Sequence, residues 1–243
     1  MENELRELLF ANGASLVGFA NVQGLYARPE DLQHAAWSVP EYPRAVSIAL
    51  AIPREIILGI EDGPTMEYFD AYHSLNKRLD DLAMLCAEYI RSGGYNAHAQ
   101  TVSSIKEFDV FRTVLPHKTV AVHAGLGWIG KSALFISEQF GSAQRLTSVL
   151  TDAPIACYDG YKDTRCGGCM VCVKACPGKA ISGKAWSAQS DRGEYFDAIA
   201  CRSKARELCV QRLGKTATIC GKCILVCPHT QRYLKRTEGS TGV

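Results

Sequence analysis

The chain has 243 residues, 47% of them hydrophobic and 21% charged, with 27 Lys and Arg against 25 Asp and Glu. That apolar share excludes a disordered chain, and the length fits one large domain or one with a small satellite. A net charge of +2 excludes a strongly basic nucleic-acid binder but leaves room for a local basic patch. The clearest apolar run, 45–52, is far shorter than the ~20 residues of a membrane span. The acidic start, Met1 to Glu4, lacks the basic-then-apolar pattern of a secretory leader. The expectation is a cytoplasmic protein with no membrane partner.

Residues 2–11 place apolar side chains at helical spacing, and Asn12-Gly13 supplies the stop. Strands are predicted at 15–22 and 45–52, the second closed by Pro53, with a loop-rich stretch at 26–43 between them. The longest helix signal covers 65–91, where Met66, Phe69, Tyr72, Leu75, Leu79, Leu82, Leu85 and Ile90 recur at threes and fours. Gly93-Gly94 closes it. Cys86 lies inside this pattern and reads as a small buried apolar residue. A further strand is predicted at 95–102, a short helix at 116–124 capped by Gly125, and two more strands at 132–137 and 144–150. Strands interleaved with helices point to an α/β or α+β domain. From Cys157 onward the texture changes to cysteines, glycines and short helical pieces. The predicted organisation is an α/β domain at 1–155, a cysteine-rich domain at 156–236 and a frayed tail at 237–243.

Of eleven cysteines, ten fall between Cys157 and Cys227. Cysteines clustered in this way in a reducing compartment point to metal or redox chemistry rather than disulfides. Cys166, Cys169, Cys172 and Cys176-Pro177 form C-x2-C-x2-C-x3-C-P, the iron–sulfur run of bacterial ferredoxins. Three closely spaced thiolates on a loop can hold three irons of one cubane, while the fourth heads away to a second cluster. Cys220, Cys223 and Cys227-Pro228 form the complementary C-x2-C-x3-C-P, one cysteine short. The predicted sets are Cys166, Cys169, Cys172 and Cys227 for one 4Fe–4S cluster, and Cys176, Cys201, Cys220 and Cys223 for the other. On spacing alone Cys209 can replace Cys201. Zinc is the rival, but a four-ligand site has no use for the continuity of the first run.

Residues 125–132, Gly-Leu-Gly-Trp-Ile-Gly-Lys-Ser, match both the phosphate loop and the dinucleotide fingerprint. Either motif needs a strand before it and a helix after it, and the predicted order here is the reverse. A loop lining some other ligand pocket is the third reading. The six histidines show neither H-x3-H nor H-E-x-x-H spacing.

The segment His123 to Lys131, the Tyr72-His73 pair and the double cysteine motif together resemble epoxyqueuosine reductases. These are cobalamin-dependent iron–sulfur enzymes related to reductive dehalogenases. The resemblance covers roughly residues 15–230. It implies an N-terminal α/β sandwich, similar to cobalamin-trafficking and flavin-reductase folds, followed by a ferredoxin-like domain with two 4Fe–4S clusters. It favours Cys201 as the extra ligand. It also implies a corrinoid pocket lined by Gly125, Gly127, Trp128, Gly130 and Lys131, with Lys131 meeting an anionic group. Tyr72 and Asp109 are the candidate proton donors. Two departures limit the transfer. The family's catalytic Asp falls about fourteen residues before Gly125, where this chain has Phe111, and Asp109 is off register. The family's helical-repeat region that grips tRNA has no counterpart before Val243, which, with the balanced charge, argues against tRNA.

The expected function is a reductase passing electrons through the clusters to a bound corrinoid. The alternative is an electron-transfer or corrinoid-reactivating protein without a small-molecule substrate. Expected partners are a low-potential donor of ferredoxin or flavodoxin type and, on the alternative, a corrinoid protein.

Overall fold

The computed structural model describes residues 1–26, 42–102, 104–105, 107, 111–158 and 160–236. The loop predicted at 26–43 and the tail at 237–243 lie almost entirely outside these residues. In chain order the elements are α1 (Glu2–Ala11), β1 (Leu16–Asn21), β2 (Arg44–Ala51), α2 (Arg54–Leu58) and α3 (Met66–Ser92). There follow β3 (Ala97–Ala99), α4 (His117–His123), β4 (Trp128–Ile129), β5 (Phe135–Ile136) and β6 (Gln144–Thr151). The cysteine-rich end carries α5 (Val171–Ala175), α6 (Arg192–Tyr195), α7 (Ala198–Leu213), α8 (Lys222–Leu225) and α9 (Pro228–Lys235). Among the described residues no helix is long and apolar enough to cross a membrane.

Four strands form one sheet in the order β1-β2-β6-β3. β1 and β2 run antiparallel with Leu16 opposite Ala49, and β3 runs antiparallel to β6 with Ala97 opposite Thr151. Every residue of β1 except Asn21 is buried, and so are the six central residues of β2. Strands buried on both faces need apolar cover on each side. α1 contributes Leu5 and Leu9 to that core, and both α1 and α4 pack on β1. The heptad-like face of α3 buries Leu75, Leu79, Leu82, Cys86 and Ile90. Burial pushes the Cys86 thiol far above its ordinary range, which suits an inert packing residue.

The chain divides into two compact units that are not consecutive in sequence. One comprises Met1–Leu50, Ser74–Gly127 and Arg145–Tyr161; the other comprises Ala51–His73, Trp128–Gln144 and the chain from Lys162 onward. The cysteine-rich unit therefore takes in two segments that fall before the boundary drawn from the sequence. Their packing explains why. α2 lies against α8 and α9, the Tyr233 hydroxyl donates to the Ile52 carbonyl, and the Ser142 amide donates to Thr230 Oγ1.

Three elements differ from expectation. The strand predicted at 132–137 is a short hairpin of β4 and β5, pairing Trp128 with Ile136 and Ile129 with Phe135. The strand at 95–102 shrinks to β3. α7, at 16 residues, replaces the short pieces expected there. Its sparse apolar face, with Ala198, Ala205 and Cys209 as the buried residues, gives little periodic signal.

Candidate iron–sulfur site

Each cysteine motif folds into the same local device. The loop of the first motif leads into α5, which carries Cys172 and ends where Cys176 turns extended (φ −70°, ψ 112°). The second leads through Gly221 into α8, which carries Cys223, and Cys227 is again extended (φ −63°, ψ 127°). A residue before proline is driven out of the helical region, so Pro177 and Pro228 end each short helix at a cysteine and redirect its thiol. Pro228 then opens α9 at a position where its missing N–H costs nothing. α5 and α8 pack on each other.

The first turn of α7 offers Cys201 as the cysteine that the second motif lacks. Asp197 caps that helix, accepting from the Ala200 amide at 2.9 Å. Gly178, two residues after Cys176, lies so close that a Cβ there would sit 3.0 Å from the Ala200 carbonyl oxygen. This contact brings the start of α7, and with it Cys201, against the Cys176 turn. Cys209 sits two turns further on, buried, with its thiol donating to the Ile219 carbonyl at 3.1 Å.

The electrostatics sort the thiols into two groups. Burial, then the thiolates of Cys166, Cys227 and Cys169, push Cys172 up to about 11. Burial, then Cys176 and Cys220, push Cys201 up to about 11. Cys223 is raised by burial and by Cys220, Cys201 and Cys176, with Cys172 next. Cys172 thus keeps company with Cys166, Cys169 and Cys227, while Cys201 and Cys223 keep company with Cys176 and Cys220, which also feels Cys209. α5, with Cys172, and α8, with Cys223, bring the two groups side by side. Burial holds the thiols of Cys172, Cys201, Cys220, Cys223 and Cys227 above their ordinary range, so these are poor thiolates by themselves; a cationic iron core reverses that balance and fits the donor set. Among the described residues no group of three or more Cys, His, Asp or Glu side chains is placed to hold a single metal ion.

The glycine-rich loop is placed differently from either nucleotide motif. α4 precedes it and the β4–β5 hairpin follows, so the strand-loop-helix context of a phosphate site is absent here. Gly125 (φ 71°) ends α4, and Gly127 belongs with it to the first unit. Trp128 is fully buried in the other unit, edge-on to His229 with ring centroids 4.8 Å apart and with the Arg165 guanidinium 5.6 Å from its centroid. Gly130 leaves no room for a side chain, since a Cβ would lie 2.5 Å from Ile136 Cδ1 and 3.5 Å from Cys166 Sγ. Lys131 is the residue that the resemblance sets against an anionic group. It is 6% exposed, and its ammonium donates to the carbonyls of Gly167 and Cys169. Three of the five residues assigned to a corrinoid pocket are therefore engaged within the cysteine unit. Tyr72 is half-buried on α3, edge-on to His73 at 5.4 Å. Asp109 lies outside the described residues.

Comparison with known proteins agrees with this geometry. Residues 165–230 match the 4Fe-4S double cluster binding domain family. The cysteine-rich segment is a double-cluster iron–sulfur domain. The chain is similar to an epoxyqueuosine reductase of Lactococcus garvieae, 33% identical over 114 residues, covering 47% of this chain and 29% of that protein. In fold it resembles the catabolic reductive dehalogenase NpRdhA in complex with 3-bromo-4-hydroxybenzoic acid. That match has a TM-score of 0.69 at 19% identity, over 93% of this chain and 31% of the dehalogenase. It also resembles an epoxyqueuosine reductase bound to an epoxyqueuosine-modified tRNA-Tyr stem loop, with a TM-score of 0.59 at 21% identity, over 95% of this chain and 65% of that one. The chain thus matches under half the length of the curated reductases it resembles. Around the double-cluster domain, the mixed helix-and-sheet fold is that of epoxyqueuosine reductases and reductive dehalogenases.

Proposed function

We propose that this chain is an iron–sulfur oxidoreductase of the epoxyqueuosine reductase type, moving single electrons through two adjoining clusters to an acceptor. The observation that carries the reading is the packing of the two cysteine-bearing helices on each other, α5 with Cys172 and α8 with Cys223. When bound, the clusters supply one-electron storage at low potential. The chain's own residues do the rest. Cys166, Cys169, Cys172 and Cys227 hold one cluster, and Cys176, Cys201, Cys220 and Cys223 hold the other. Pro177 and Pro228 fix the two crossing cysteines, and buried Trp128 and Ile136 keep water from the first loop.

For the acceptor we propose a corrinoid, in line with the fold shared with dehalogenases, one of which was described as pointing to a B12-dependent mechanism. Since Trp128, Gly130 and Lys131 serve the cluster side, Gly125 and Gly127 are the loop residues left for the acceptor. Tyr72 and Asp109 are assigned as proton donors to the substrate. The second reading, electron delivery without a substrate of its own, is favoured by Phe111, which stands in place of an acid and holds a strained φ of 55°.

The whole-chain charge, one of the two grounds for expecting no tRNA, is unevenly spread. Residues 162–236 carry 15 Lys and Arg against 5 Asp and Glu. Such a segment suits an anionic partner, whether an acidic electron donor or tRNA. Epoxyqueuosine-modified tRNA is therefore the first substrate to assay. The test is anaerobic preparation with iron, sulfide and corrinoid analysis, then dithionite reduction with cobalamin and the tRNA added in turn. Turnover supports the reductase; reduction of a corrinoid without turnover supports the second reading.

A further inference from the structure

Lys131 presents a problem that the cluster-binding role of the thiols does not by itself solve. Its side chain is 6% exposed, and a buried ammonium is costly unless it is compensated. Its three protons are all accounted for within one loop. They go to the Gly167 carbonyl at 2.9 Å, the Cys169 carbonyl at 3.2 Å and the Met170 sulfur at 3.6 Å. These acceptors are neutral. None of the ion pairs among the described residues includes Lys131. The loop it grips runs from Cys166 to Cys169, and the neighbouring Gly130 lies against Cys166 Sγ. Lys222, beside the second quartet, instead sends its ammonium to the Glu61 carbonyl.

We propose that Lys131 is the fixed countercharge of the cluster held by Cys166, Cys169, Cys172 and Cys227. It clamps the chelating loop through two carbonyls and raises that cluster's reduction potential relative to the other. A cubane with four thiolates is an anion, and one-electron reduction makes it more negative without taking up a proton. A buried cation beside it stabilises the reduced form more than the oxidised form, and low local polarity strengthens the effect. The first cluster then becomes the electron sink of the pair, which gives the transfer a direction. This inference rests on the ligand sets proposed above.

The experiment is an anaerobic redox titration followed by paramagnetic resonance on the wild-type chain and on Lys131→Met and Lys131→Arg, with iron counted in each. The second cluster serves as the internal reference. Lys131→Met is expected to lower the first midpoint relative to the second by at least about tenfold in equilibrium constant, about 59 mV for one electron. Lys131→Arg is expected to keep most of the gap. An unchanged gap in Lys131→Met, or equal movement of both midpoints, overturns the proposal. If Lys131→Met loses the first cluster, Lys131→Arg decides: retention of both clusters with the gap supports the countercharge, and loss of the first overturns it. A wild-type chain that holds no clusters would instead sink the ligand assignment itself.

Discussion

The Cys209 thiol donates to the carbonyl of Ile219 over 3.1 Å, in a fully buried position on the same helix that carries Cys201. On the proposed ligand set that bond gives Cys209 a structural role, while Cys201, beside Cys176 and Cys220, serves the second cluster. Cys209→Ala is expected to keep about eight irons per chain, while Cys201→Ala falls to about four. The Cys209 change should cost about 1 kcal/mol for the lost hydrogen bond, read as a lower unfolding midpoint.

Gly130 and Ile136 form a tight pair in the β4–β5 hairpin. A methyl group at 130 would meet Ile136 Cδ1 at 2.5 Å, so Gly130→Ala should destabilise the chain by about 1–3 kcal/mol through overpacking. Adding Ile136→Val removes the clashing atom and should recover most of the loss. Thermal midpoints of the single and double variants check this.

His117 should make the protein sensitive to acid. Burial and then the nearby Arg145 push its imidazole down to about 4, and Nδ1 is hydrogen-bonded to Ser148 Oγ at 2.8 Å. The unfolded imidazole, near 6.5, takes up a proton that the folded one refuses. Stability is therefore full above about pH 6.5 and falls as pH drops toward 4. Lowered His98 and His123 add in the same direction. In urea titrations at pH 7.5 and 5, His117→Gln should lose less stability on acidification than the wild type.

The basic segment 162–236 predicts salt-sensitive partner binding. Reduction by an acidic flavodoxin-type donor should slow as ionic strength rises from 0.01 to 0.15 M, where the screening length falls from about 30 to about 8 Å. Stopped-flow rates across that range give the test; a flat profile would remove charge steering from the account.

Much of this molecule is legible in its sequence. The long helix shows in the spacing of Leu75, Leu79 and Leu82, and the cysteine runs name their own chemistry. Asp197 and Gly214 (φ 63°) are readable caps of α7, yet the helix between them buries too few apolar residues to announce itself. The company of Lys131 was not readable, because it depends on a contact across 36 residues to Gly167. Nor was the inclusion of α2 in the cysteine unit, which is set by tertiary packing on α8 and α9. Spacing reveals local geometry; it does not reveal which loops meet.

Paramagnetic resonance on the anaerobically prepared chain, with iron counted on the same sample, addresses the two-cluster claim most directly. About eight irons per chain and, after dithionite, two interacting spin centres are predicted. A chain that carries zinc, or four irons with a single signal, contradicts it.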